Sequence, residues 1–265
     1  MKKILLYFNI LMIILIILGI VLIVEQNQKE KTSTLMATPT PARAIPPKET
    51  DPINMTKDLP PSQRKTSVLL TAPLVKQLPE LLNGCEITSL TMLLQYYGIK
   101  KDKMDLVPEL IRDDTPIIKS KNGQILTWGD PNIGFVGDIT GKKIGYGIYH
   151  EPLYQLLKTY IDTAVDLSGT SLSELEQKLS AGYPVVVWTT VNYSAPAEND
   201  WKSWSSPTGT IKATFKEHSV LLVGYDKDHV YLNDPLSGKK QVKVNKHIFL
   251  LGWTAMGKQA ISYGN

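Results

Sequence analysis

The sequence predicts an α+β domain that follows one transmembrane helix and a proline-rich linker. Three observations indicate this organisation: an apolar run near the N-terminus, a proline-rich stretch without apolar periodicity, and a remainder in which helical patterns precede strand patterns. Helices first and an antiparallel sheet afterwards are typical of α+β domains. The globular part, residues 67–265, is long enough to bury roughly 70% of the surface that its unfolded chain exposes.

Residues 1–24 are expected to be a transmembrane signal anchor. Ile4 to Val24 is a nearly unbroken apolar run, and at ~1.5 Å per residue it can cross a hydrocarbon core of ~30 Å. Lys2 and Lys3 precede it and are expected in the cytoplasm, which places the following domain outside, at the cell surface. A cleaved signal peptide is the alternative, but the run exceeds the usual ~7–15 residues and no small-residue cleavage site closes it.

Residues 25–66 are expected to be a disordered, extended linker, because this stretch contains seven prolines and cannot bury enough apolar surface to fold alone. The net charge of +4 is spread over scattered lysines without a basic stripe, so nucleic-acid binding is not expected.

The periodic segments predict four helices and then four strands. The helices are expected at Cys85–Tyr97 (closed by Gly98), Met104–Arg112, Pro152–Tyr160, and from the capping box Ser171–Glu174 to about Ala181. The strands are expected at Pro184–Val191, His218–Tyr225, His229–Asn233 and Gln241–Val244.

Cys85 is the only cysteine, so no intramolecular disulfide can form. It follows the turn pair Asn83-Gly84 and opens the strongest helix, where free backbone N–H groups and the helix dipole favour a nucleophilic thiolate. The adjacent Glu86 opposes this, since its charge raises the thiol pKa if it faces the site. The alternative is that Cys85 is a small buried hydrophobe without chemistry.

His218 opens a strand pattern, and Asp234 closes the next one. Two antiparallel strands joined by a turn at residues 226–228 would bring Asp234 beside His218. A carboxylate at that place fixes the imidazole tautomer and stabilises the imidazolium that forms when a thiol ionises. The sequence therefore predicts a Cys85–His218–Asp234 triad with a thiolate–imidazolium pair.

These motifs carry a family resemblance. Asn-Gly-Cys opening a helix, then His218-x-Val-x-x-x-Gly-Tyr225 and Asn-Asp234-Pro, resembles the papain-like clan. More narrowly, residues from Leu70 to about Ser262 resemble bacterial peptidases similar to the bacteriocin leader-processing family, cysteine peptidase family 39. The resemblance implies a papain-like fold in which the nucleophile helix packs on an antiparallel sheet.

The resemblance also implies roles for single residues: Cys85 as nucleophile, His218 as general base, Asp234 as its orienting partner and Gln77 as oxyanion donor. Gln77 precedes the cysteine by more residues than in papain, so a surface glutamine in a loop is its alternative. Glu86 replaces a glycine that many family members carry. The transporter domains of bacteriocin exporters are missing from this sequence, so cleavage of double-glycine leaders does not follow.

The resulting expectation is a membrane-anchored, extracytoplasmic cysteine peptidase with a peptide or protein substrate. Alternatives are a transpeptidase or cell-wall amidase on the same scaffold, and an inactive surface binding module. We expect no cofactor and no zinc site, because no group of potential ligands has ligand spacing along the chain. Trp201 and Trp204, in an expected polar loop at residues 192–207, either line a ligand cleft or pack against the domain.

Overall fold

The computed structural model describes residues 65–264. The expected anchor at residues 1–24 and the expected linker, apart from its last two residues, lie outside this range. Between residues 65 and 264, none of the helices has both the length and the apolar character needed to cross a membrane.

Five α-helices and fourteen β-strands form within the described residues. The helices are α1 (Cys85–Tyr97), α2 (Lys103–Leu106), α3 (His150–Tyr160), α4 (Leu172–Ser180) and α5 (Lys246–Ala255). The first seven strands are β1 (Val68–Leu69), β2 (Arg112–Asp113), β3 (Ile118–Lys119), β4 (Ile125–Thr127), β5 (Phe135–Gly137), β6 (Gly145–Gly147) and β7 (Ala164–Asp166). The others are β8 (Val185–Thr190), β9 (Trp201–Ser206), β10 (Gly209–Thr214), β11 (Glu217–Tyr225), β12 (His229–Asp234), β13 (Lys239–Asn245) and β14 (Ala260–Tyr263).

The main sheet of the described domain is antiparallel throughout and has the order β13-β12-β11-β8-β14-β7. All nine residues of β11 are buried. Alternate residues of a strand face opposite sides, so Leu221 joins the core that contains α1 and α3. Val220 and Leu222 join the core that contains α4 and α5. The α+β prediction is confirmed, with helices on both faces of the sheet.

Helix α1 has the predicted bounds but lies deeper than a one-sided apolar pattern indicates. Every residue from Cys85 to Leu94 is buried, because the sheet, α2 and α3 enclose the helix. Gly98 ends it as predicted, with a left-handed φ of 108° and its N–H directed to Leu94 O.

Strand β1 joins the sheet beside β11, with Val68 opposite Tyr225 and Leu69 opposite Gly224. A side chain at Gly224 would overlap the carbonyl oxygen of Val68, which explains why glycine stands there. The Tyr225 hydroxyl donates to Lys65 O over 2.5 Å. The described chain therefore begins at the end of β11 that lies away from His218.

The capping box at Ser171 and the four predicted strands are confirmed, with boundaries that shift by one or two residues. The predicted helix at 104–112 is wrong in length: α2 passes into a 3-10 turn, Val107–Glu109, because Pro108 lacks the N–H that an α-helix requires. Helix α5 is an additional element, whose first turn is capped by the Asn245 side chain.

The predicted polar loop at residues 192–207 is also wrong, since it contains β9, which pairs along its whole length with β10. Trp204 is buried, and its Nε1 donates to Gly129 O over 2.9 Å. Its ring packs against Trp128 and Tyr146, with centroid distances of 5.7 and 5.6 Å. Trp201 is half-buried and borders a cleft. Packing is thus the role of Trp204, whereas Trp201 faces both core and cleft.

This difference predicts separate effects of the two tryptophans on stability. Trp204→Ala should lower the free energy of unfolding by about 3–5 kcal/mol, because it empties a buried aromatic cluster. Trp201→Ala should cost less than half as much. Urea denaturation followed by circular dichroism measures both, and equal losses would contradict the assignment.

Candidate active site

A turn that is held by two hydrogen bonds of Asn83 positions Cys85 at the start of α1. The Asn83 side chain donates to Asp138 O over 2.7 Å, and its backbone N–H donates to Ile139 O over 3.0 Å. A side chain at Gly84 would overlap Leu81, so only glycine fits between the turn and the helix. Cys85 is 7% exposed, and its backbone amide belongs to the first helical turn.

His218 and Asp234 meet as the strand register predicts. His218 Nε2 donates to Asp234 Oδ1 over 2.8 Å, and both side chains are buried. Burial alone would raise the pKa of Asp234, but hydrogen bonds from His218, Ser237 and Tyr193 outweigh it and hold that pKa well below its usual range. Asp234 is therefore a carboxylate at neutral pH. The bond through Nε2 leaves Nδ1 of His218 for a reaction partner.

Tyr193 is a contact that the sequence did not reveal. Its hydroxyl donates to the second carboxylate oxygen of Asp234 over 2.7 Å, and its backbone has a φ of 64°, rare for a residue other than glycine. It lies 41 residues before Asp234. Its place in a segment expected to be a polar loop offered no signal.

Cys85, His218 and Gln77 line one small cavity of about 130 Å³. Gln77 is 2% exposed, so it is not a surface residue. The side-chain Nε2 of Gln77 donates to Leu82 O over 2.9 Å. The backbone carbonyl of Gln77 accepts from the buried ammonium group of Lys103 over 3.0 Å. The fold thus brings together all four residues that the sequence singled out: Cys85, His218 and Gln77 around the cavity, and Asp234 behind His218.

Two buried carboxyl groups lie beside the thiol. Glu86 Oε1 accepts from the Ile148 amide over 2.8 Å, and Glu86 Oε2 lies 3.3 Å from Cys85 Sγ, so the thiol donates to it. Glu217 directly precedes His218, and one of its carboxyl oxygens lies within 4.8 Å of Cys85 Sγ and of a carboxyl oxygen of Glu86. At Gly147 a side chain would overlap Glu86 Oε1, so glycine is required where β6 passes this pair.

This surrounding makes Cys85 a neutral thiol. Burial raises its pKa most, the charges of Glu86 and then Glu217 raise it further, and a hydrogen bond from the Ser219 backbone lowers it too little to compensate. The expected low pKa of the Cys85 thiol is therefore wrong for this structure. The helix dipole is outweighed by burial and two acids.

The two carboxyl groups also hold protons more tightly than ordinary glutamates. Burial raises the pKa of Glu86 to about 7. Burial, followed by the charge of Glu86, raises the pKa of Glu217 well above its usual value. Two like charges at this separation resist joint ionisation, so the pair keeps part of its protons near neutral pH.

Phe215 also lines a larger cleft of about 820 Å³. The Phe215 ring is 45% exposed, and Trp201, Ile144 and Ile125 form other parts of the wall. Phe215 is thus the residue that the cleft shares with the cavity of Cys85.

Comparison with known sequences decides the family. The model of the Peptidase_C39 like family matches residues 69–261, which include Cys85, His218, Asp234 and Gln77. The chain belongs to this C39-like peptidase family.

Two bacterial proteins are similar in sequence to this C39-like chain. It is 42% identical over 209 residues to a Bacillus subtilis protein named "Uncharacterized protein YvpB", covering 78% of this chain and 79% of that one. It is similar to the crystal structure of a candidate C39-like peptidase from Bacillus anthracis, with a TM-score of 0.68 and 44% identity over 76% of this chain and 98% of the other.

In this C39-like site, Glu86 and Glu217 are expected to raise the pKa of the Cys85 thiol. Glu86→Gln and Glu217→Gln should each lower the thiol pKa, because each removes a negative charge, so Cys85 should be alkylated at a lower pH. The measurement is the rate of alkylation by iodoacetamide from pH 6 to 10, with Glu151→Gln as an exposed control. Unchanged profiles in both variants would show that the acids do not act on Cys85.

Proposed function

We propose that the chain is a cysteine-type peptidase that hydrolyses peptide bonds through Cys85, His218 and Asp234. One observation carries the proposal. The first residue of a buried helix, Cys85, shares a cavity with an imidazole whose far nitrogen is bonded to a carboxylate. Membership of the C39-like peptidase family supports the reaction class.

The neutral thiol favours a mechanism in which charge forms only during attack. As Sγ adds to the substrate carbonyl, His218 Nδ1 takes the thiol proton as general base. The imidazolium that results is stabilised by Asp234, which Tyr193 and the turn after the strand hold in place. His218 then protonates the leaving amine, and water hydrolyses the thioester that links the acyl group to Cys85.

The oxyanion of the tetrahedral intermediate needs fixed donors. We assign the backbone N–H of Cys85 and the side-chain amide of Gln77 to this role. A single donor of this kind typically contributes about 10²–10³-fold to turnover. Gln77 is suited to it, because Lys103 and the hydrogen bond from its own N–H to Pro235 O fix its backbone.

The substrate is a peptide or protein segment in an extended conformation. The cleft of about 820 Å³ supports this proposal, since it has room for several residues and shares Phe215 with the cavity of Cys85. Its exposed apolar side chains favour large apolar side chains on the substrate.

We place the peptidase domain outside the cytoplasm, attached to the cell membrane. Support comes from the apolar run of residues 4–24 behind Lys2 and Lys3.

Substitution of the triad tests the reaction. Cys85→Ala should abolish hydrolysis of a peptide library read by mass spectrometry. His218→Ala should lower kcat/KM by about 10²–10⁴-fold, the usual contribution of a general base. Asp234→Asn should lower it less, because asparagine still orients the imidazole but lacks the charge.

Circular dichroism should show that these variants fold. Hydrolysis that persists in Cys85→Ala would contradict the assignment of Cys85 as the nucleophile. Capture of the acyl group by an added amine in preference to water would make the enzyme a transpeptidase. A wild-type Cys85 that does not react with electrophiles would make the domain a binding module.

The attachment is tested on intact cells. Protease added outside should release a soluble fragment that begins within residues 25–66, because that stretch is the expected linker. Detection of the fragment by an antibody against the domain is the measurement. A protein that resists added protease until the cells are lysed, or one secreted without residues 1–24, would contradict the proposal.

A further inference from the structure

The donor atoms around Cys85 resemble a coordination sphere more than a catalytic requirement. Cys85 Sγ, one oxygen of Glu86 and one of Glu217 lie within 4.8 Å of one another, and all three side chains are buried. Spacing along the chain could not indicate this group, because β11 brings Glu217 to the helix from far along the sequence. We propose that Cys85, Glu86 and Glu217 form a Zn²⁺ site whose occupation reversibly switches the peptidase off.

An unpartnered oxygen sets this group apart from an ordinary acidic cluster. Glu217 is 8% exposed, yet among residues 65–264 no hydrogen-bond donor contacts its Oε1. Leaving a buried carboxyl oxygen unpaired costs about 1–3 kcal/mol or more. A cation bound between the three side chains would remove that cost.

A second unpartnered oxygen lies on the wall of the same cavity. Gln77 Oε1 is buried and has no hydrogen-bond donor within the described domain, while Nε2 of the same amide is bonded. It is a ready acceptor for a water molecule bound to the metal. Three protein ligands and one water make up the tetrahedral coordination that Zn²⁺ prefers.

The ligand types select the metal. One thiolate and two carboxylates suit a borderline ion such as Zn²⁺, whereas Ca²⁺ and Mg²⁺ take oxygen ligands alone. Cys85 and Glu217, but not Glu86, line the small cavity of about 130 Å³, which has room for a water bound to the ion. Binding releases to solvent the thiol proton and any proton held by Glu86 or Glu217 as the S–Zn and O–Zn bonds form, and no electrons change hands.

Zinc at this place would stop the reaction because it occupies the nucleophile. This consequence rests on the proposed peptidase function, whereas the binding does not. The site would keep the enzyme latent where zinc is abundant and would release it where zinc is scarce.

Metal binding is measured on the purified full-length protein with Co²⁺ and Zn²⁺. Co²⁺ should produce a sulfur-to-cobalt charge-transfer band in the near ultraviolet, which one equivalent of Zn²⁺ removes. Zn²⁺ should also protect Cys85 from iodoacetamide. Glu86→Gln and Glu217→Gln should each weaken Zn²⁺ binding by more than about 100-fold, because even outer-shell changes cost about 10- to 100-fold.

Two controls separate this site from others. His150→Ala removes an exposed His150–Glu151–Asp166 group and should leave the cobalt band and the zinc affinity unchanged. His218→Ala should lower kcat/KM by about 10²–10⁴-fold but keep the band, so a failed peptidase and a failed metal site give different results.

The metal site is overturned by a missing charge-transfer band, or by equal zinc affinity in folded wild type, Glu86→Gln and Glu217→Gln. It is also overturned if zinc inhibits the enzyme but does not protect Cys85. Thermal unfolding monitored by circular dichroism confirms that each variant is folded.

Discussion

The packing of helix α1 on strand β11 is the constraint on which the rest of the site depends. Ser89 donates to the carbonyl of Ser219 over 3.1 Å, and the first helical turn lies against the start of the strand. Because neighbouring residues of a strand face opposite sides, Glu217 and Ser219 turn towards the helix and His218 turns towards Asp234. A slip of one residue in this register would exchange the two sets. Gly224 opposes that slip, because any other residue at its place would overlap the carbonyl oxygen of Val68.

The same burial that positions the nucleophile also keeps it unreactive at rest. The thiolate is the form that attacks peroxides and disulfides and is thereby oxidised, and the neutral thiol reacts far more slowly. For the only cysteine of a domain expected outside the cytoplasm, a raised pKa is a protection. In the proposed mechanism, catalysis then depends on His218 and the oxyanion donors acting together during attack.

The sequence predicted the features that local patterns encode. Helix α1, strands β8, β11 and β12, and the bond between His218 and Asp234 follow from apolar periodicity, a tight turn and register counting. The partners of the acids do not, because Glu217 reaches Glu86 only through the docking of α1. Likewise, the polar residues around Trp204 predict a loop, although Trp204 itself packs in an aromatic cluster. The environments of Glu217 and Trp204 depend on contacts between segments that are distant in the sequence, and local secondary-structure propensity does not reveal them.

Strand β1 determines the place at which the preceding chain joins the domain. It pairs with the end of β11 at Gly224 and Tyr225, and seven residue steps separate Tyr225 from His218. At ~3.3 Å per step this is roughly 20 Å of sheet. If the domain is attached to the membrane as proposed, the preceding chain joins it at Lys65, at the end of β11 remote from His218. A protein substrate that reaches His218 would then not meet the point of attachment.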